Sequence, residues 1–269
     1  MAENSKFKAY DVDDYITEIY DQTETQTEDV QLLRELVADR PQLKILEPFC
    51  GNGRILIPLA QDGHDVVGMD NSVPMLKSAS QKLSTLPLEV QKRVSLIEAD
   101  VTVDSWPTGF DLVILGGNCF YELATPEEQE NCIRATQSAL VPNGYLFLDN
   151  NHMEGELDPE WRDVDVLHRN RFPTGTCNDG TKVMGTTETV WVDVVKRLTR
   201  IRRSVEIMTP DGIIKRKEWT QQKHPPSTIE MQGWLDKHGF EILGIWGDRD
   251  KSQYTEQSDR AVFWAKRKN

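Results

Sequence analysis

The chain lacks any long apolar run, since no stretch of its 269 residues approaches the roughly 18 consecutive apolar residues that span a bilayer. It shows no apolar segment of the kind found in secretory signal peptides. Positive charge is also scarce: 31 lysines and arginines against 44 aspartates and glutamates give a net charge of −13. Nucleic-acid-binding proteins normally carry a basic surface, so a nucleic-acid substrate is disfavoured. We expect a cytoplasmic protein with neither a membrane nor a nucleic-acid partner.

Cysteine is rare and shows no metal-binding or disulfide spacing. The four cysteines are Cys50, Cys119, Cys132 and Cys177, with no C-x-x-C pair and no even spacing. This pattern argues against a zinc site and against a disulfide framework, and it favours reduced thiols. The length predicts one large domain, or one domain with an insertion.

The most informative pattern that is present lies between Lys44 and Ile55. It predicts a buried strand at Ile45–Glu47, a tight glycine turn, and a helix that begins at Arg54. Glycine at positions 51 and 53 lets the backbone approach a ligand closely, because a side chain there would collide with it. The first turn of the helix offers free N–H groups to polar or anionic ligand groups. This order is typical of the first strand–helix unit of a nucleotide-binding sheet.

A second strand ends at Asp70, which lies 19 residues after Gly51. An acidic residue at this distance can accept hydrogen bonds from both hydroxyls of a ribose. The dinucleotide fingerprint G-x-G-x-x-G/A is incomplete, however, because Leu56 occupies its third small position. A ribose-containing ligand is therefore favoured, and a nicotinamide-dependent oxidoreductase remains an alternative.

Acidic and polar residues follow further predicted strands. Asp100 follows the third, and Gly116 and Asn118 follow the fourth, Phe110 to Leu115. The fifth, Tyr145 to Leu148, is followed by Asp149, Asn150, Asn151 and His152. The carboxyl ends of parallel strands meet at one edge of a sheet, where ligands bind. We therefore expect these side chains to surround a single site.

The run from Glu47 to Gly53 resembles motif I of the class I S-adenosylmethionine-dependent methyltransferases, in which an acidic residue ends the first strand and a G-x-G turn follows. The chain departs from that motif at Phe49, where the family usually has another glycine. The Leu-Val-Pro-Asn-Gly-Tyr run at 140–145 and the His-Gly-Phe run at 238–240 are also similar to this family. The resemblance covers about residues 40–150 and 225–266, and its layout is closest to glycine N-methyltransferases and sugar-amine N,N-dimethyltransferases.

This resemblance implies S-adenosyl-L-methionine as cofactor, S-adenosyl-L-homocysteine as product, and no metal. It implies that Asp70 holds the ribose, that Asp100 and the backbone of Val101 contact the adenine, and that Met75 packs on it. Glu47 and the two glycines are expected to shape the methionine pocket. The full set of predicted cofactor-binding residues is Glu47, Phe49, Gly51, Gly53, Arg54, Asp70, Asn71, Met75, Asp100, Val101, Gly116 and Asn118.

Substrate and catalytic residues follow from the resemblance less directly. The predicted substrate-binding residues are Tyr15, Asn118, Asn150, Asn151 and Arg169. His152 and Tyr20 are the candidate catalytic residues, the first at a strand end and the second in a Tyr-Asp pair on an N-terminal helix. Two alternatives remain: the tyrosines form a packing face, or His152 only caps its strand end.

The middle of the chain departs from a bare methyltransferase core. Residues 153–180 look like a loop, Thr186 to Met208 alternates like two strands, and Ile213 to Thr220 like a third. A similar three-stranded lid follows strand five in sugar-amine dimethyltransferases. Arg197, Arg200, Arg202 and Arg203 form a basic stripe, which we interpret as a solvated sheet face, with binding of a substrate anion as the alternative.

The expected fold is α/β: a Rossmann-like seven-stranded sheet, mostly parallel with an antiparallel last strand, plus an antiparallel β lid after strand five. The expected domains are an N-terminal cap (1–40), a cofactor-binding core (41–152 and 221–269) and a lid (153–220). The expected activity is methylation of a small molecule, favouring an amine nitrogen, by a monomer or homodimer. The alternatives are O-methylation, cofactor binding without catalysis, RNA methylation and nicotinamide-dependent oxidation.

Overall fold

The structure is a computed structural model that describes residues 13–269. Tyr10 and residues 11 and 12, which belong to the predicted N-terminal helix and cap, lie outside the described residues.

Within the described residues, the α-helices in chain order are α1 (Asp14–Thr23), α2 (Glu28–Val37), α3 (Leu56–Gln61), α4 (Val73–Ser84), α5 (Leu88–Gln91), α6 (Pro126–Ala139), α7 (Pro159–Arg162) and α8 (Thr228–Lys237). The strands are β1 (Lys44–Glu47), β2 (Asp65–Asp70), β3 (Val94–Glu98), β4 (Phe110–Leu115), β5 (Leu140–Asn151), β6 (Leu167–Thr176), β7 (Lys182–Asp193), β8 (Leu198–Met208), β9 (Ile214–Lys223), β10 (Phe240–Trp246) and β11 (Arg260–Arg267). No helix in this part of the chain is long and apolar enough to cross a membrane.

Seven strands form one sheet in the order β10-β11-β5-β4-β1-β2-β3. Strands β1 to β5 pair in parallel, and β11 runs antiparallel to both β5 and β10. The predicted Rossmann-like sheet with an antiparallel last strand is confirmed. Since β1, β2 and β4 are neighbours, their carboxyl ends and the loops that follow them lie side by side.

The central strands are buried because helices cover them. Ile45 of β1 and Val113 of β4 are fully buried, as are Leu33 of α2 and Leu56 of α3. Short apolar strands of this kind are typical of parallel sheets, which are covered on both faces. Helix α8 begins with a capping box, since Glu230 N donates to Ser227 Oγ over 3.2 Å and Ser227 N donates to Glu230 Oε2 over 2.8 Å.

The second sheet is antiparallel and has four strands in the order β6-β7-β8-β9. The predicted three-stranded lid was wrong by one strand, because residues 167–176 form β6 where we expected a loop. Pro173 and two register shifts interrupt the pairing of β6 with β7 and obscure its alternation in the sequence. Proline is tolerated there because β6 is an edge strand.

The four-stranded sheet has two chemically different faces. On one, here called the inner face, Val183, Val205 and Ile207 pack against Ile19 of α1. The opposite, outer face carries charged pairs between strands, including Glu188 with Arg202, and Glu206 with Arg216. Successive residues of a strand point to opposite faces, so neighbouring arginines of the basic stripe have different surroundings.

The chain divides into two compact units. The four-stranded unit contains the described part of Met1–Thr25 together with Glu122–Thr125 and Gly155–Pro225. The seven-stranded unit contains Gln26–Tyr121, Pro126–Glu154 and Pro226–Asn269. The domain boundaries expected at 40, 152 and 220 stay predictions.

Two glycines provide a test of the second sheet. A Cβ at Gly185 in β7 would lie 2.7 Å from the backbone oxygen of Pro173, whereas a Cβ at Gly233 in α8 meets nothing within 4 Å. Gly185→Ala is expected to lower the free energy of unfolding by about 1–3 kcal/mol through overpacking. Gly233→Ala is expected to raise it by about 0.5–1 kcal/mol, because alanine favours a helix interior. Urea unfolding checks both values, and equal effects would contradict the described pairing of β6 with β7.

Candidate functional site

The glycine turn after β1 has the backbone that the sequence predicts. Gly51 and Gly53 have φ values of 50° and 82°, in the left-handed region that favours glycine. A Cβ at Gly51 would enter open space, whereas a Cβ at Gly53 would lie 2.8 Å from the Ile57 side chain. Glycine at position 53 therefore lets the turn pack against Ile57, and glycine at position 51 leaves the backbone accessible. The turn is tied to β2 by a 2.9 Å hydrogen bond from Cys50 N to Met69 O.

Asp70 holds this turn from the end of β2. Its Oδ2 accepts a 2.8 Å hydrogen bond from Gly51 N, and its Oδ1 accepts one of 2.8 Å from Ser72 N. Asp70 thus has a structural role that the sequence did not indicate, and its predicted role as ribose ligand stays compatible with these contacts.

Glu47 at the end of β1 is a buried carboxyl group, only 4% exposed. Burial raises its pKa well above the ordinary value, and the charges of Asp29 and Asp70 add to this, while Arg54 opposes it. Its Oε2 has no hydrogen-bond partner among the described residues. A buried acceptor in this state suits a cationic ligand group such as an amine, which would stabilise the charged form.

Arg54 was expected to bind the cofactor, but its guanidinium is held by the protein itself. It donates to both carboxylate oxygens of Asp29, over 2.9 and 2.6 Å, and to the backbone oxygen of Gln26 over 2.8 Å. Burial acts to raise the pKa of Asp29, but the hydrogen bond from Arg54 and the charges of Arg54 and Arg249 lower it below its ordinary value. Arg54 therefore fixes the helix after the glycine turn to α2, and its role in cofactor binding stays a prediction.

A second buried carboxylate, Asp149, lies in β5. Arg249 donates to it over 3.0 Å and Arg260 over 2.8 and 2.6 Å. Arg249 also approaches Asp29 to 3.6 Å, so the two carboxylates belong to one network. The side chains of both Asp29 and Asp149 are 0% exposed. Such buried pairs depend on each partner, since the removal of one leaves a desolvated charge.

This network also orients the asparagines at the strand ends. Arg260 donates to Asn151 Oδ1 over 2.8 Å and to Asn118 Oδ1 over 3.3 Å. Asn118 Oδ1 also accepts a 2.6 Å hydrogen bond from Asn151 N. The structure thus brings together Asn118 and Asn151, which the sequence predicted as parts of one site. Asn118 has a φ of 62°, a conformation that asparagine tolerates better than most residues.

Asn150 lies between Asp149 and Asn151 in the sequence, but its side chain is on the other face of β5. Its side chain is 0% exposed, and neither its amide nitrogen nor its amide oxygen has a partner among the described residues. A buried carboxamide without partners is costly, so a polar ligand group at this position would be stabilising.

His152 has partners at both ring nitrogens. Nδ1 lies 3.0 Å from Ser258 O, and Nε2 lies 2.8 Å from Tyr254 Oη and 3.2 Å from Glu154 Oε2. The side chain is only 2% exposed. A histidine that only caps the end of its strand, which was the alternative interpretation of His152, would make contacts of this kind. A catalytic role for His152 stays a prediction.

The remaining predicted cofactor residues are near the same strand ends. Met75 is buried in α4, and Phe49, Asn71 and Val101 are partly or fully exposed in loops. The Asp100 carboxylate accepts hydrogen bonds of 2.9 Å from Thr102 N and 2.6 Å from Thr102 Oγ1. It therefore shapes its own loop, and adenine recognition by Asp100 and Val101 stays a prediction. A Cβ at Gly116, which follows β4, would lie 2.7 Å from the end of the Ile55 side chain, so that side chain would have to shift.

Three predicted site residues belong to the four-stranded unit. Tyr15 packs against the apolar cluster of that unit, and the ring of Tyr20 lies edge-on to Phe172 with centroids 5.9 Å apart. These are contacts of a packing face, and the site roles of both tyrosines stay predictions. Arg169 is exposed and pairs in register with Thr186 on the outer face of the sheet.

The sequence did not indicate Asp29, Arg249 or Arg260. Their partners are distant in the chain: 25 residues separate Arg54 from Asp29, and 111 separate Arg260 from Asp149. No local spacing reveals such pairs. The available signal was Arg54 itself, since an arginine that follows a buried glycine turn needs a carboxylate partner. Among the described residues, no group of three or more His, Cys, Asp or Glu side chains could hold a metal ion.

Comparisons with known proteins agree with this geometry. The model of the family described as "Methyltransferase domain" matches residues 39–223, more than half of the chain. "Putative methyltransferase YqeM" of Bacillus subtilis (strain 168) is 27% identical over 93% of this chain and 94% of its own. A glycine/sarcosine N-methyltransferase of Aphanothece halophytica is 25% identical over 83% of this chain and 76% of its own.

Solved structures show the same fold. An S-adenosylmethionine-dependent methyltransferase from Clostridium acetobutylicum superimposes with a TM-score of 0.73 at 14% identity, covering 95% of this chain and 98% of that one. The sugar N-methyltransferase KedS8 from Streptoalloteichus sp. gives a TM-score of 0.68 at 18% identity, covering 93% and 90%. The protein has the fold of the class I methyltransferases. The chain belongs to the methyltransferase domain family and is an S-adenosylmethionine-dependent methyltransferase.

Asp149 provides a test of the buried network. Asp149→Asn is expected to lower the free energy of unfolding by about 3–5 kcal/mol, because Arg249 and Arg260 would lose their buried counter-charge. Asp236→Asn is the control: this carboxylate pairs with Lys268 over 3.3 Å, but its side chain is 83% exposed. Exposed ion pairs contribute little to stability, so the free energy of unfolding measured in urea should hardly change in this variant. Similar losses in the two variants would contradict the assigned network.

Proposed function

We propose that this enzyme methylates a nitrogen of a small polar molecule. The observation that carries the proposal is the buried carboxamide of Asn150, whose two polar atoms have no partner among the described residues. A substrate amine or hydroxyl that hydrogen-bonds to Asn150 would satisfy this group. The net charge of −13 argues against a nucleic acid as the substrate.

The residues of the seven-stranded unit suit the cofactor. Glu47 offers a buried acceptor to the amino group of the methionine part, and Gly51 leaves its backbone accessible. Asp70, whose carboxylate accepts hydrogen bonds from Gly51 N and Ser72 N, is proposed for the ribose hydroxyls. Asp100, Val101 and Met75 are proposed for the adenine. S-adenosylmethionine supplies an activated methyl group, so the protein's task is to bind and orient the acceptor.

Nitrogen is favoured over oxygen by the names of the relatives. Several relatives and structural neighbours are named as N-methyltransferases, including glycine/sarcosine and sugar N-methyltransferases. An amine attacks as its neutral form, so a substrate that binds as an ammonium ion must first lose one proton. His152 and Tyr20 stay the candidate groups for that step, and His152 would first have to release Tyr254 or Glu154.

A methyl-transfer assay tests this proposal. S-adenosylmethionine labelled in its methyl group is incubated with the protein and matched pairs of small amines and alcohols, and in a separate sample with RNA. We expect label in at least one amine and little in its hydroxyl analogue. Transfer only to alcohols would contradict the choice of nitrogen, and transfer only to RNA would contradict the small-molecule substrate.

Asp70 is tested with the same assay. Asp70→Asn removes a charged acceptor and is expected to raise the KM for S-adenosylmethionine by about 10- to 100-fold, since hydrogen bonds to charged groups are worth about 1.5–3 kcal/mol. Asp65→Asn at the other end of β2 is the control; that carboxylate pairs with Arg93 and Gln42 at the surface. An unchanged KM in Asp70→Asn would show that Asp70 only supports the turn.

A further inference from the structure

The four-stranded unit contains a cavity of about 310 Å³ on the inner face of its sheet. This volume lies at the lower end of the range for small-molecule sites. The lining comes from α7 and from all four strands: Glu160, Trp161, Arg171, Phe172, Thr187, Thr189, Ile201, Arg203 and Lys223. Each of these residues belongs to the same compact unit.

A polar row crosses the sheet at this cavity. Register pairing places His168, Thr187, Arg203 and Trp219 side by side on β6, β7, β8 and β9. Thr187 and Arg203 line the cavity, and the other two flank them. Nε2 of His168 and Nε1 of Trp219 are buried with no hydrogen-bond partner among the described residues. Polar atoms that are buried in this way favour a polar ligand in the adjoining space.

The charge at the cavity is positive. Its lining has three cations, Arg171, Arg203 and Lys223, and one carboxylate, Glu160, which pairs with Arg171. Lys223 pairs with Glu122 over 2.9 Å. Even with Glu122 counted, these residues keep a charge of one positive unit, so the cavity disfavours a cation.

The state of Lys223 agrees with this charge. Burial lowers the pKa of Lys223, the charge of Arg203 lowers it further, and Glu122 opposes both. Burial acts to raise the pKa of Glu122, but Lys223 and Arg203 outweigh it and lower that pKa. The charge of Arg203 thus acts on both Lys223 and Glu122. A bound anion would relieve the repulsion between Arg203 and Lys223.

The walls add an aromatic component. Trp161 and Phe172 both line the cavity. Aromatic walls favour a flat apolar body, and a guanidinium favours a carboxylate or phosphate oxygen pair.

We propose that this cavity binds a small, flat organic anion through Arg203, with its apolar body against Trp161 and Phe172. The basic stripe of the sequence is thereby divided: Arg203 binds the anion, while Arg200 and Arg202 lie on the outer face, with Trp191 and Glu188 respectively.

The experiment uses calorimetric titration of the full chain. The probes are benzoate, phenyl phosphate, benzamide and benzylamine, which share a ring and differ in charge. We expect at least one of the two anions to saturate with a Kd near or below about 1 mM, and the neutral and cationic probes to bind at least about tenfold more weakly. Comparison of benzoate with phenyl phosphate identifies the preferred anion.

Neighbouring arginines of β8 provide matched variants. Arg203→Gln is expected to weaken binding of the preferred anion by at least about tenfold, and Arg202→Gln on the outer face to leave it unchanged. Equal effects of the two substitutions, equal binding of benzamide, or no saturation by either anion would overturn the inference. If circular dichroism shows that Arg203→Gln is unfolded, Arg203→Lys replaces it, and the comparison among probes on the unaltered chain still decides.

S-adenosylhomocysteine is titrated into the same samples to separate this inference from the proposed function. If S-adenosylhomocysteine binds and no anion does, the cavity inference fails alone. If an anion binds in an Arg203-dependent manner and the labelled-methyl assay detects no acceptor, the proposed function fails alone.

Discussion

The ion-pair network formed by Asp29, Arg54, Asp149, Arg249 and Arg260 is the constraint on which the candidate site depends. It joins the helix after the glycine turn to α2 through Arg54, and it joins the end of β5 to the loop and strand that follow β10. Arg260 also donates hydrogen bonds to Asn118 and Asn151. Because both carboxylates are excluded from water, each arginine needs its partner, and the backbone around the site is fixed as a consequence.

The glycine turn adds a second constraint of the same kind. Asp70 binds Gly51 N, so the group proposed for the ribose also sets the shape of the turn beside it. Phe49, which departs from the usual glycine of motif I, leaves this arrangement intact, since the positive φ angles are at Gly51 and Gly53. The sequence departure therefore does not remove the feature that a ligand needs, namely accessible backbone at Gly51.

The seven-stranded fold was predictable because its signals are local. Short apolar strands, the glycine turn, and the capping box at Ser227 each occupy a few consecutive residues. Strand β6 was missed because Pro173 and its register shifts hide the alternation, and its place at the sheet edge is decided by pairing with β7. The partners of Arg54 and Asp149 were missed because they are distant in the chain. The basic stripe was described as one feature, although the pleat places Arg203 and Arg202 on opposite faces.

Binding of the cofactor product is the most direct test of the central claim that this sheet and turn hold S-adenosylmethionine. S-adenosylhomocysteine and NAD are titrated separately into the purified chain by calorimetry. The account predicts binding of S-adenosylhomocysteine at one site per chain with a Kd in the micromolar range, and no saturation by NAD. Binding of NAD alone, or of neither compound, would contradict the roles given to Glu47, Gly51 and Asp70.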